Sequence, residues 1–344
     1  MSSLGRISCE TAAVDHGRRA TERNLQLEGL RAIAILAVVA YHARVPGFTG
    51  GFVGVDVFFV LSGYLITGQV ARQCDAGTFD LMRFWTRRLA RLAPAGIMIV
   101  LATAVIGAAI LPPDRVGQLT AGVWPALTYT ANLHFTGQAA DYHAGMASLN
   151  PLLHMWSLAV EGQFYLLWPV LILVVPARMR LAVVIVLAAL SLALSVFMTP
   201  VFVPFAYYGL PTRLWELAAG GILALLGIRL PGPAALAGLA MIAAAVTVFG
   251  PSTPFPGYAA LQPVAGAALA IAGVLPLLGH PLLVWIGTRS YAWYLWHWPA
   301  IIFAELLVPG TGPAAAVIAL GLAAVTYRLI ENPFREWGRQ WAVT

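Results

Sequence analysis

Long apolar runs, each broken by only a few polar residues, recur from one end of the chain to the other. A helix crossing ~30 Å of hydrocarbon needs roughly 20 mainly apolar residues. Ten segments approach that measure: residues 27–44, 52–71, 92–111, 156–175, 179–198, 211–228, 232–249, 259–278, 289–308 and 312–330. In lipid only helices satisfy every backbone group within one segment, so the pattern predicts an all-α, polytopic bundle of about ten transmembrane helices. The first, second, fourth, sixth and ninth segments are the shortest or most polar. Two connections are long. Residues 72–91 contain the basic amphipathic run RFWTRRLARLAP, expected to lie in the membrane interface. Residues 112–155 carry Trp124, Tyr129, Phe135 and Tyr142 together with His134, Asp141, His143 and His154. A connection of that length rarely lacks a function of its own, and this one is expected to pack over the outer mouth.

Composition agrees with a membrane protein: 60% hydrophobic, 10% charged, mean hydropathy +0.81, against about 25% charged residues in a soluble domain. The net charge of +6 does not argue for nucleic acid, because topology explains its placement. With the N-terminus in the cytoplasm, fifteen arginines fall in inside segments, only Arg44 and Arg115 fall outside, and Arg31, Arg213 and Arg328 lie within helices. That asymmetry follows the positive-inside rule and predicts a multi-pass cell-membrane protein with both termini cytoplasmic. Residues 1–24 are polar and lack a small-residue cleavage site after a short apolar stretch, so they read as a disordered cytoplasmic tail before an uncleaved helix. Residues 25–335 form one transmembrane domain and 336–344 a short cytoplasmic tail. Cys9 and Cys74 are too few and too separated for a disulfide framework.

The chemistry begins in the first helix, LEGLRAIAILAVVAYHA. Arg31 and His42 are eleven positions apart, which places them on nearly one helical face and ~16 Å apart along the axis. Ionisable residues inside a membrane helix are costly and face protein or a watery cavity. By depth, His42, Asp56, Glu161, Arg213 and Glu216 fall in one outer layer. Arg213 and Glu216, at i and i+3, suit an ion pair that is more architectural than reactive. His42 is left with either Glu161 or Asp56 as a candidate acid–base pair, since a carboxylate orients an imidazole and favours its protonated form. Asp56 equally suits a hydrogen-bonding role beside the Gly51–Gly54 turn. At the cytoplasmic end, Arg31 stands near Arg83, Arg87, Arg88 and Arg91, planar donors suited to phosphate oxygens such as those of coenzyme A. Positive-inside bias and lipid headgroups account equally well for the 83–91 run. The chain has no G-x-S-x-G elbow, H-E-x-x-H or Walker loop. His134, His143 and His154 lack metal-ligand spacing, so no metal is expected. Ser62 in VLSGY reads as a packing serine, and His297 in YLWHWPA as either a polar contact or a packed histidine.

Six motifs in order resemble the acyltransferase-3 family of integral-membrane acyltransferases: Arg31 with His42; GFVGVDVFFVLSGYLIT over 51–67; Arg88 and Arg91 before Pro94; HMWSLAVEGQFYLLWP, with Glu161 and Tyr165; SYAWYLWHWPA over 290–300; and ENPFR over 331–335. Glu28 stands where many members have aspartate. The extracellular esterase-like domain fused to some members is not represented, which favours a stand-alone, single-component transferase. The resemblance implies transfer of an acyl group, commonly acetyl, from acyl-CoA to a hydroxyl of a sugar, glycan, glycolipid, lipid-linked glycan or polyketide glycoside. It implies His42 as catalytic base with Glu161 its partner or an acceptor-positioning group. Arg31, Arg88 and Arg91 would bind the donor, and Asp56, Tyr165, Arg213 and Glu216 are expected to bind the acceptor substrate. A rival class is a proton-coupled transporter using the charged layer as a relay, against which the lack of an obvious internal repeat counts. A non-catalytic assembly factor would not need so many buried ionisable groups. Oligomeric state and acceptor identity are not encoded in any motif.

Overall fold

A computed structural model describes residues 24–140 and 150–340. The described residues are helical, and Leu230 and Gly273 form an isolated bridge rather than a sheet. Each of the ten apolar segments contains a helix: α1 (Asn24–His42), α2 (Gly54–Asp75, preceded by a 3-10 turn), α3 (Leu81–Ile110), α6 (Met155–Val174), α7 (Ala177–Val201), α9 (Leu210–Leu226), α10 (Gly232–Val248), α11 (Leu261–Ala272), α13 (Ser290–Leu307) and α14 (Gly312–Thr326). Among the described residues six spans are long and apolar enough to cross a bilayer alone; α9 and α10 have 17 residues and α11 has 12. The tenth span continues through a π-helical turn, Tyr327–Glu331, into the amphipathic α15 (Asn332–Gln340).

Two connections differ from expectation. The basic run is not a separate interfacial segment but the first turns of α3, a helix of 30 residues with Pro94 inside. Asp80 starts that helix early: its side chain caps the first turn by accepting from the Arg83 N–H at 2.9 Å. The described part of the 112–155 connection is largely helical, with α4 (Pro113–Leu127) and α5 (Ala131–Ala140); further on, the short α8 (Val203–Tyr208) and α12 (Pro281–Thr288) complete the bundle. Asp141, Tyr142, His143 and the N-terminal tail lie outside the described residues.

Close helix crossings depend on glycine. A Cβ at Gly63 would overlap the Leu217 carbonyl, and one at Gly220 would overlap the Val60 carbonyl, so α2 and α9 approach backbone to backbone, as small residues permit in membranes. Prolines supply a second device. Pro169 in α6 cannot donate to the Tyr165 carbonyl, and the Trp85 indole N–H of α3 takes that oxygen at 3.1 Å. Pro299 in α13 likewise frees the Leu295 carbonyl, which accepts from His154 Nε2 at 3.2 Å. Both bonds answer the demand that buried backbone groups be paired.

Candidate active site

The five helices α1, α2, α3, α6 and α13 line one shared cavity. Its cationic wall is Arg31 from α1 with Arg88 and Arg91 from α3, three guanidinium groups against one lining carboxylate, Glu161. Arg31 Nε donates to Ser290 Oγ at 3.3 Å and pairs with Glu28 at 3.8 Å, one turn back on its own helix. Arg88 donates to Gln69 Oε1 at 3.2 Å, and its guanidinium lies over the rings of Phe84 and Tyr165 at 5.5 and 5.4 Å. These contacts hold planar donors in place rather than leaving them to sweep through solvent. Thus the residues expected at the donor end do share one cavity.

Glu161 belongs to this cavity too. Its Oε1 accepts from the hydroxyls of Ser62 and Tyr165. Tyr165 follows Glu161 by four residues, so both sit on one face of α6. Ser62, expected to be a packing serine, is therefore part of the site. On the same wall the Ser157 and Tyr294 hydroxyls are 2.6 Å apart, and Tyr294 also donates to the His154 carbonyl at 3.0 Å.

His42 lies elsewhere, at the end of α1, where it lines a separate cleft with Tyr41, Arg44, Arg115, Trp298 and Glu305. The expected pairing of His42 with Glu161 or Asp56 is not formed. Its partner is His297, with His42 Nδ1 2.9 Å from His297 Nε2 and the rings stacked at 5.1 Å and 21°. The hydrogen-bond chain assigns the tautomers. A carbonyl only accepts, so the 2.6 Å contact between His297 Nδ1 and the Tyr294 carbonyl makes Nδ1 the protonated nitrogen of His297. His297 Nε2 must then accept from His42 Nδ1–H. His42 Nε2 is left with a free lone pair, the atom a general base requires. Depth read from the sequence misassigned the partner: Glu161 lines the cavity of Arg31 and Arg88 rather than the layer of His42, and depth does not tell which helices face one another. The available signal for His297 was its place two residues before Pro299, in a motif otherwise apolar and aromatic.

Asp56, Arg213 and Glu216 line neither cavity. Arg213 bridges the two carboxylates, at 3.3 Å to Asp56 and 2.9 Å to Glu216, with all three side chains 0–1% exposed. Four rings, from Phe59, Trp156, Tyr207 and Phe255, surround the guanidinium at 5.4–5.8 Å. This closed cluster ties α2 to α9 beside their glycine crossing and has no opening through which a substrate could reach it. Tyr165, by contrast, faces the basic cavity as described. Of the three histidines weighed for metal, His154 is committed to the Leu295 carbonyl, His134 meets Phe135 edge to face, and His143 lies outside the described residues.

The described residues thus form a helical bundle whose first helix carries a half-buried arginine near one end and a histidine at the other. The acyltransferase domain of the acyltransferase-3 family matches residues 24–327, and the chain belongs to that family. Among its relatives, the peptidoglycan O-acetyltransferase OatA of Listeria monocytogenes is 32% identical over an alignment covering 91% of this chain and 56% of that protein. A putative peptidoglycan O-acetyltransferase of Bacillus subtilis, YrhL, is 34% identical over 91% and 55%, and a putative O-acetyltransferase of Staphylococcus aureus 33% over 91% and 57%. The chain spans little more than half the length of these curated relatives. No solved structure matches.

Proposed function

We propose that the protein is a membrane O-acyltransferase that moves an acyl group, acetyl by analogy with its relatives, from acyl-CoA to a hydroxyl of a glycan or related glycoside. The observation that carries this reading is that one residue, Tyr294, takes part in both places. Tyr294 lines the basic cavity with its phenol, while its carbonyl fixes His297 and, through it, His42 at the other cleft. The basic cavity suits the phosphates of the donor through Arg31, Arg88 and Arg91, whose forked donors match phosphate oxygens. With the N-terminus inside, as the arginine distribution favours, that cavity faces the cytoplasm, where acyl-CoA is made.

α1 is continuous from Asn24 to His42, so Arg31 and His42 stand about 16 Å apart along its axis. The extended pantetheine arm of acyl-CoA suits that separation, with the phosphates at one end and the thioester approaching His42. There His42 Nε2 takes the proton of the acceptor hydroxyl as its oxygen attacks the thioester carbon. Collapse of the tetrahedral adduct breaks the C–S bond, and the departing thiolate receives that proton from His42. The hydroxyl becomes an ester, and no net proton is consumed. Glu161, held by Ser62 and Tyr165, lies on the donor side of this path and serves to position the acyl arm rather than to orient His42.

The test is acetyl transfer from radiolabelled acetyl-CoA by protein in nanodiscs, combined with mass spectrometry of glycans from cells with and without the gene. His42→Ala should abolish the acyl mass shift while leaving a folded, membrane-inserted protein. Transfer at the normal rate by that variant would sink the assignment.

A further inference from the structure

The His42 cleft carries an electrostatic signature of its own. Arg44 and Arg115, the two arginines that the topology leaves on the outer side, both line this one cleft. Outer arginines run against the positive-inside bias, so two converging beside a candidate base call for a local reason. Among the described residues the backbone N–H of each donates within its own turn, to the Tyr41 and Pro112 carbonyls, but neither guanidinium makes a hydrogen bond or ion pair. Glu305, the lining carboxylate, is otherwise engaged: its two oxygens accept from the Gly310 and Gly312 N–H groups at 2.9 and 2.7 Å, holding the turn after α13. Arg44 feels its charge but does not close a pair with it. Arg44 also adopts the left-handed backbone conformation, φ 56°, which a non-glycine residue takes at a cost. That turn ends α1 so that residue 44 contributes to the same cleft wall as His42. Trp298, whose indole N–H is fixed on the Asn150 carbonyl at 2.8 Å, packs 4.6 Å from the His42 ring and gives the cleft an aromatic wall.

We propose that this cleft selects an acceptor sugar that carries a negative group, a carboxylate or a phosphate, which Arg44 and Arg115 hold while a hydroxyl of the same molecule meets His42. The inference rests on His42 being the base of acyl transfer and adds the acceptor's charge to that reading. Forked guanidinium donors bind such oxyanions with defined geometry. The aromatic wall accepts the apolar face of the ring.

The experiment measures binding apart from turnover. Protein in phosphatidylcholine nanodiscs is titrated with methyl β-glucoside, methyl β-glucuronide and glucose 1-phosphate, followed by saturation-transfer NMR. At least one anion should bind tenfold or more tightly than the glucoside, and which one does so tells carboxylate from phosphate. The preference should weaken as salt is raised. In the Arg44→Gln/Arg115→Gln double variant it should fall to within twofold, with glucoside binding unchanged. Arg115→Lys, which keeps the charge but loses the fork, should keep part of it. Equal binding of all three probes, no binding of any, or an anion preference that survives the double variant overturns the proposal. The His42→Ala protein separates the two ideas: it should keep the anion preference while losing transfer. Anion preference with normal His42→Ala transfer would refute the catalytic reading alone.

Discussion

The His42–His297 pair permits a quantitative test. In His297→Phe the stacked ring at 5.1 Å is kept in kind, but the Nε2 acceptor for His42 Nδ1–H disappears. A buried donor left without a partner costs about 1–3 kcal/mol. The imidazole can avoid that cost by rotating or by moving its proton to Nε2, and either removes the free lone pair from the reacting position. At 1.36 kcal/mol per decade, the penalty corresponds to a loss of roughly 5- to 150-fold in kcat. The proposed donor site lies at the other end of α1, so KM for acetyl-CoA should change less than twofold. His297→Gln, which offers an amide oxygen to the same N–H, should recover part of the rate, whereas a merely structural role would make Gln no better than Phe. The assay is steady-state acetyl transfer in nanodiscs with both substrates varied, alongside thermal melting. A His297→Phe protein that melts normally and turns over within twofold of the parent would refute the assignment of His297 as the group that sets the His42 tautomer.

Three further outcomes follow from packing. Arg213→Leu leaves Asp56 and Glu216 buried without their cation and should cost about 3–5 kcal/mol in detergent unfolding, most of it regained when all three are replaced by apolar residues. Gly63→Ala should cost about 3 kcal/mol and shift the protein toward aggregates on size exclusion, because the new methyl meets the Leu217 backbone rather than a movable side chain. Arg44→Gly relieves the left-handed strain at residue 44, so melting should be unchanged or higher by up to about 1 kcal/mol, while acylation of an anionic acceptor falls. Loss of stability in that variant would show that Arg44 serves folding rather than the cleft.

How far the sequence reaches can be seen residue by residue. The ten helices were legible because about 20 apolar residues in succession admit little else in lipid. The Arg31–His42 stripe was legible because both lie on one helix, where spacing is geometry. Partners on different helices were not. Arg213 and Glu216 were paired correctly by their i, i+3 spacing, yet Asp56, the third member, was assigned to substrate because its register against α9 is set by Gly63 and Gly220, not by anything near Asp56 in the chain. His42 and His297 are 255 positions apart, and depth alone gave Glu161 an equal claim. The early start of α3 depended on a single cap at Asp80, which a scan for apolar length passes over.

The prolines of α6 and α13 bring in heredity. Pro169 and Trp85, like Pro299 and His154, form couples in which one residue creates an orphan carbonyl and another, on a different segment, adopts it. Each change alone has a cost in the interior: losing the donor strands an oxygen, and losing the proline makes the donor share that oxygen with the helix's own N–H. Each couple should therefore be inherited or lost as a unit. Comparing descendants of this chain for joint replacement at 85 with 169, and at 154 with 299, would recover the packing of α3 on α6 and of α6 on α13 from sequences alone.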